Sequence, residues 1–153
     1  MPKGKPTPVQ VDLYLRLYEL RREAKLRAAR AWFEKNFFIE KPEDVERIAP
    51  TGSEESAYFR MVVTYWEMVC ALFNYGLLHE ELFFETTGEQ YMVWVRIQPA
   101  VAGWRQQFGD PKVGHNLEKA ARRYEKWRER RAPGSMKRMR EMLAAMAGQR
   151  RQA

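Results

Sequence analysis

Cysteine is almost missing from this chain. Cys70 stands alone, so no intrachain disulfide can form, and a reducing cytoplasm is the expected setting. Histidine is nearly as scarce: His79 and His115 lie far apart and neither falls in a metal-ligand spacing, so no metal site is expected. The segment His79, Glu80, Glu81, Glu85 and Glu89 is acidic, yet the Glu-x-x-His pairs of a di-iron bundle are absent. So are a Gly-rich phosphate loop, a Gly-x-Ser-x-Gly turn and a His-Glu-x-x-His motif. No enzymatic activity and no cofactor are therefore expected. Long apolar runs are lacking as well, since Met68 to His79 falls well short of the roughly 20 residues that cross a bilayer. The basic start, residues 1 to 8, is followed by Asp12, Arg16 and Glu19 instead of an apolar stretch, so no secretory leader is expected. Strand-type alternation is also missing, which leaves an all-α class.

What is present suits one globular domain: 153 residues, 45% of them apolar and 13% aromatic. Residues 53 to 75 are the densest part. From Ala57 to Phe73 nearly every direction around a helix is apolar or aromatic, which predicts a hub helix buried on all sides. Thr51 or Ser53 can cap it, Glu54 and Glu55 suit its positive end, and Gly76 supplies the stop.

Around the hub, the spacing predicts a compact bundle of about five main helices with one or two short ones. A long first helix is expected from Val9 to Phe38, with Leu13, Leu17, Leu20, Ala24, Ala28 and Ala31 facing the core. Pro42 to Ile48 should form a turn or two, and another short helix follows Gly76. Thr87-Gly-Glu-Gln reads as a capping box for a helix over residues 88 to 108, kinked near Pro99. Asp110 and Pro111 should open a helix to Arg131, and Ser135 a last one to about Gly148. The expected organisation is an arm at 1–8, a bundle at 9–131 and an amphipathic helix and tail at 132–153.

Charge is unevenly placed. Residues 40 to 89 hold three Lys or Arg against eleven acids, whereas residues 111 to 153 hold thirteen against four. Such asymmetry reflects either partners or internal complementarity. Glu67 and Arg96 each lie in an apolar run, and a buried anion needs a partner. They are expected to pair, either as a structural ion pair or as the floor of a ligand pocket, the alternative being that Glu67 reaches solvent. Lys119, Arg122, Arg123, Lys126, Arg130, Arg131, Lys137, Arg138 and Arg140 form a basic surface that could meet nucleic-acid phosphates. Tyr124 and Trp127 accompany them, but share a three-and-four stripe with Leu117, Ala120 and Ala121 and are better placed in the core. Met136, Met139, Met142, Leu143 and Met146 make an adaptable strip for docking on a protein, another copy, or the chain's own bundle.

From Tyr58-Phe-Arg-Met-Val-Val-Thr-Tyr-Trp-Glu through Gly76-Leu-Leu-His-Glu-Glu-Leu-Phe-Phe to Thr87-Gly-Glu-Gln-Tyr-Met-Val-Trp, the chain resembles a family of uncharacterised bacterial helical proteins. The likeness covers about residues 57 to 125. It implies bacterial origin, no known activity, and architectural roles for Glu67, Gly76 and Glu81. The expectation is a protein-interaction or regulatory module, with homodimerisation through its first or last helix as one form; nucleic-acid binding, and a ligand-binding protein or enzyme with a pocket near Glu67 and Arg96, are the alternatives. Peripheral membrane contact is not expected.

Overall fold

What the sequence presents as one long N-terminal helix is broken in two, and the break decides which residues face the core. A computed structural model describes residues 4–152, apart from the side chain of residue 151, and has eight helices and no strand among them. Residues 1–3 of the expected arm and the last residue of the expected tail lie outside the described residues. Helix α1 (Pro8–Arg21) opens on a reciprocal cap: the Thr7 hydroxyl accepts the Gln10 amide at 3.2 Å, and the Gln10 side chain accepts the Thr7 amide at 3.0 Å. It ends at Arg21, and α2 (Ala24–Asn36) starts anew because Glu23 folds its carboxylate onto the Leu26 amide at 2.9 Å. Arg27 takes the Arg22 carbonyl at 2.8 Å, which satisfies one orphan acceptor of α1. The interruption rephases the helix. Leu26, Ala29 and Phe33 are buried, whereas Leu20, Ala24, Ala28 and Ala31 of the expected stripe are exposed.

Helix α3 (Glu43–Ile48) has Pro42 at its N-cap and Glu43, Asp44 and Glu46 in its first turn, as its dipole favours. The hub helix α4 (Glu54–Asn74) begins at Ser53, whose hydroxyl accepts the Ser56 amide at 3.1 Å. It stops before Gly76, at φ 80°. Val62, Trp66, Val69, Cys70 and Phe73 are buried. The hub is not enclosed all round, however: Arg60, Thr64 and Met68 form an open stripe four residues apart.

Helix α5 (Glu80–Thr86) is capped by the His79 ring, which accepts the Leu82 amide at 3.3 Å. Its other nitrogen meets the Gly4 carbonyl at 2.6 Å. Helix α6 (Glu89–Phe108) runs on through Pro99, whose ring is exposed. The expected capping box does not form. Gly88 is the N-cap without a side-chain bond, Gln90 turns back to the Thr87 carbonyl at 3.3 Å, and the Thr87 hydroxyl accepts from Arg21 at 3.4 Å.

Helix α7 (His115–Arg131) starts four residues later than Pro111. Asp110 instead holds the Lys112 amide at 2.8 Å in the preceding turn, and Gly114, at φ 68°, precedes the helix. The last helix, α8 (Ser135–Gln152), continues past Gly148. Within the bundle α4 packs on α2, α6 and α7, and α7 also contacts α6 and α8. Phe73, Phe83, Phe84, Tyr124 and Trp127 interlock at one end of the core with ring centroids 4.9 to 5.9 Å apart. Burial stabilises each such side chain by roughly 1.5–3 kcal/mol. No helix among the described residues is long and apolar enough to cross a membrane.

Candidate ligand cleft around Arg96

The two half-buried charges, Glu67 and Arg96, do not meet. Glu67 leaves α4 towards the start of α7, where Oε1 accepts the Asn116 backbone amide at 2.9 Å and the Asn116 side chain at 3.1 Å. Its Oε2 accepts the Leu117 amide at 2.9 Å. These are the second and third amides of α7, the ones an N-cap side chain ordinarily takes. Gly114 has no side chain to offer, so Glu67 caps α7 from another helix. Asn74, two turns further along α4, adds bonds to the carbonyl and side chain of Asn116, both at 3.1 Å.

Arg96 performs the opposite task. Its Nη1 donates to the Phe33 and Glu34 carbonyls at 2.9 and 2.7 Å, in the last turn of α2. The guanidinium lies over the Phe38 ring, 4.3 Å from its centroid. Burial pulls the Arg96 pKa down, while nearby Glu34 pushes it up and Arg150 lowers it again. The expected Glu67–Arg96 ion pair is therefore corrected to two separate contacts, each charge resting on the helix end of opposite sign.

Arg96 nevertheless stands in a cleft. Its Nε and Nη2 make no hydrogen bond among the described residues. One cavity of about 450 Å³ lies between α2 and α6, bordered by Arg27, Arg30, Glu34, Glu89, Met92 and Arg96. A second, of about 230 Å³, lies under α8 and is mostly apolar, with Phe38, Ile39, Val95, Leu143 and Ala147 in its wall. Met92 and Arg96 line both. Glu67 lines neither.

Beside the larger cavity is a charge cluster that sequence reasoning missed. Arg30 grips Glu89 with two parallel bonds of 2.7 and 2.6 Å, Trp66 donates to the same carboxylate at 3.2 Å, and Arg21 approaches to 3.7 Å. Burial pushes the neighbouring Tyr65 hydroxyl up to about 12. Its proton goes to the Leu17 carbonyl at 2.5 Å. The sequence shows Glu89 only as a member of the acidic segment from His79 onward; nothing in its spacing points to Arg30, fifty-nine residues away.

The basic surface is partly internal. Arg123 binds Glu80 at 2.6 Å and covers the Phe73 ring, Arg130 reaches Glu80 at 4.0 Å, and Arg131 reaches Glu85 at 3.6 Å. Arg122 pairs with Glu118 and Arg140 loosely with Glu125. Lys119, Lys126, Lys137 and Arg138 are exposed without an ion pair among the described residues. Tyr124 and Trp127 are buried and offer no face to a nucleic-acid base; Trp127 donates to Glu81 at 2.9 Å. The methionine strip divides: Met136 is buried, Met139 and Leu143 pack on the core, and Met142 and Met146 are exposed. Cys70 is buried, and burial pushes its thiol pKa up. No group of three or more His, Cys, Asp and Glu able to hold a metal occurs among the described residues.

Residues 6–127 match the model of a protein family described as a domain of unknown function, DUF4760. The match extends on the N-terminal side well beyond residues 57 to 125, the span of the resemblance in the sequence. No curated protein and no solved structure is matched by this chain.

Proposed function

The chain belongs to the DUF4760 family, whose function is unknown, and from that premise we propose that it works by binding, not by chemistry, with a small ligand seated at Arg96. The observation that carries this reading is the state of the Arg96 guanidinium. One nitrogen is committed to α2, and Arg96 lines two cavities, the larger of which, about 450 Å³, falls in the size range of ligand clefts. No carboxylate neutralises it by direct contact among the described residues. Two groups that could have served as nucleophile or base are otherwise engaged: Cys70 is buried, and His79 caps α5. A cytoplasmic setting remains part of the proposal.

Thermal unfolding against a panel of small anionic, neutral and cationic amphiphiles tests the reading. A ligand at a hundred times its Kd adds about 2.7 kcal/mol, which moves the midpoint of a domain this size by roughly 5–11 °C. The shift should vanish in Ala147→Phe, which fills the cavity under α8. A panel with no compound whose shift depends on that substitution would sink the proposal.

A second reading, docking on a protein partner or another copy, is favoured by α1. Val9, Leu15 and Leu20 are 78%, 55% and 55% exposed on a helix whose core contribution is Leu17 alone among fully buried residues. Light scattering at two concentrations decides whether copies associate. Wild type that stays monomeric while Leu15→Glu changes nothing removes the dimer form of this reading.

A further inference from the structure

The cleft reading leaves the ligand unnamed, and the lining narrows it. Resting on that reading, we infer that the ligand is a linear amphipathic carboxylate, its head on Arg96 and its tail in the apolar cavity beneath α8. The size argument comes first. An apolar cavity of about 150 Å³ holds a six-carbon ring, so 230 Å³ scales to a chain of about nine carbons. The wall is chemically suited to such a chain, being built from Phe38, Ile39, Val95, Leu143 and Ala147 around Met92.

Charge selects the head group. Two guanidiniums, Arg96 and Arg140, line this cavity against one acid, Glu40. Arg140 reaches Glu125 at 3.9 Å and adjoins the Tyr91 hydroxyl, and its side chain is 59% exposed. Arg96 presents Nε and Nη2 on adjacent corners of its fork, the geometry that accepts the two oxygens of a carboxylate. The larger cavity is a poorer seat for the head, because its Arg30 is already neutralised by Glu89 in a two-bond pair. A neutral ligand would leave the Arg96 donors unmatched, and a cationic one would be repelled by both arginines.

The roof and floor differ in origin. Phe38, Val95 and Arg96 lie within the family match at 6–127, whereas Leu143, Met146 and Ala147 come from α8, beyond it. The tail would thus be enclosed by a helix that the family's shared part does not include.

Methionine methyl resonances give the test a local readout, since Met92 and Met146 both line the cavity. The full chain is titrated with decanoate, 1-decanol and decyltrimethylammonium, each below its micellar threshold. Decanoate should move both methyls and bind about tenfold more tightly than decanol, the gain of a charge-assisted bond. Arg96→Gln should bring decanoate to the decanol level. Because Arg96 also holds the end of α2, Arg140→Gln is measured beside it and should weaken decanoate while leaving decanol unchanged. Ala147→Phe should abolish the response to both. Equal binding of decanol and decanoate overturns the carboxylate while leaving the cleft in place. Decanoate shifts that persist in Ala147→Phe overturn the site. Should none of the three move Met92 or Met146, the carboxylate proposal falls, and the broader thermal panel decides the cleft separately.

Discussion

Glu67 offers the sharpest test of how this bundle is held together. It donates nothing and accepts three N–H groups, two of them backbone amides that α7 cannot satisfy from its own N-cap glycine. Glu67→Gln keeps the shape but replaces one acceptor oxygen with an NH₂ group that faces a backbone N–H. A lost hydrogen bond to a charged group costs about 1.5–3 kcal/mol, and the favourable contact with the helix dipole adds up to about 2 kcal/mol in partly buried geometry. Allowing for relaxation and water, we expect a loss of about 2–3 kcal/mol, which is roughly 4–12 °C in Tm. Arg96→Met should cost about 1–3 kcal/mol for the two carbonyl bonds at the end of α2.

The double variant discriminates between two architectures. If each charge serves its own helix end, the two losses add to within about 0.5 kcal/mol, as for sites with no shared partner. If the charges were coupled as an ion pair, removing both would cost less than the sum by about 0.5–3 kcal/mol. Urea unfolding followed by circular dichroism measures all four corners of the cycle. A coupling above about 1 kcal/mol, or a Glu67→Gln loss below about 0.5 kcal/mol, refutes the capping account.

Two other predictions are independent of the cleft. Arg105 holds Glu118 at 2.7 Å and keeps its carboxyl below the ordinary 4.5, with smaller help from Arg122 and His115. A folded pKa below the unfolded one contributes stability above pH 4.5 that is lost as pH falls through the folded value. Arg105→Gln should therefore flatten the acid limb of the Tm–pH profile below pH 4.5; an unchanged acid limb would contradict the contact. Glycine substitutions should split by position. A Cβ at Gly103 would lie 2.8 Å from the rigid Pro42 ring, so Gly103→Ala should lose about 1–3 kcal/mol despite its better helix propensity. At Gly148 a Cβ meets nothing within 4 Å, so Gly148→Ala should gain up to about 1 kcal/mol. Thermal melts that rank the two in the other order would reject the close approach of α3 to α6.

Elements that carry their own punctuation could be read from the sequence. Ser53 and Gly76 bracket α4, Pro42 and its acids open α3, and Gly109 ends α6 in the left-handed conformation. The division between α1 and α2 has no such mark. Arg21-Arg-Glu-Ala contains neither Gly nor Pro, and the stop depends on Glu23 taking the Leu26 amide while Arg27 and Arg30 take carbonyls of the preceding turn. Every one of those residues also favours a continuous helix. The misplaced start of α7 has the same kind of origin. Asp110-Pro111 is a strong local opening signal, but the decisive acceptor, Glu67, comes from forty-nine residues earlier.

The candidate site was half legible for a related reason. Arg96 could be singled out, because a lone cation in an apolar run needs compensation wherever it goes. Its partner could not, because a list of acidic side chains omits the other source of negative charge in an all-α protein, the unpaired carbonyls that end each helix. Counting only side chains forces Glu67 and Arg96 together. Counting helix ends separates them and assigns Glu67 to the start of α7 and Arg96 to the end of α2. The functional consequence follows from the difference in stoichiometry. Both Glu67 oxygens are engaged by α7, and Glu67 lines neither cavity. Among the described residues two carbonyls engage one of the three nitrogens of Arg96, and the residue lines the two cavities. The same capping principle therefore gives both charges an architectural task, and the binding role proposed for Arg96 rests on the donors that this task does not use.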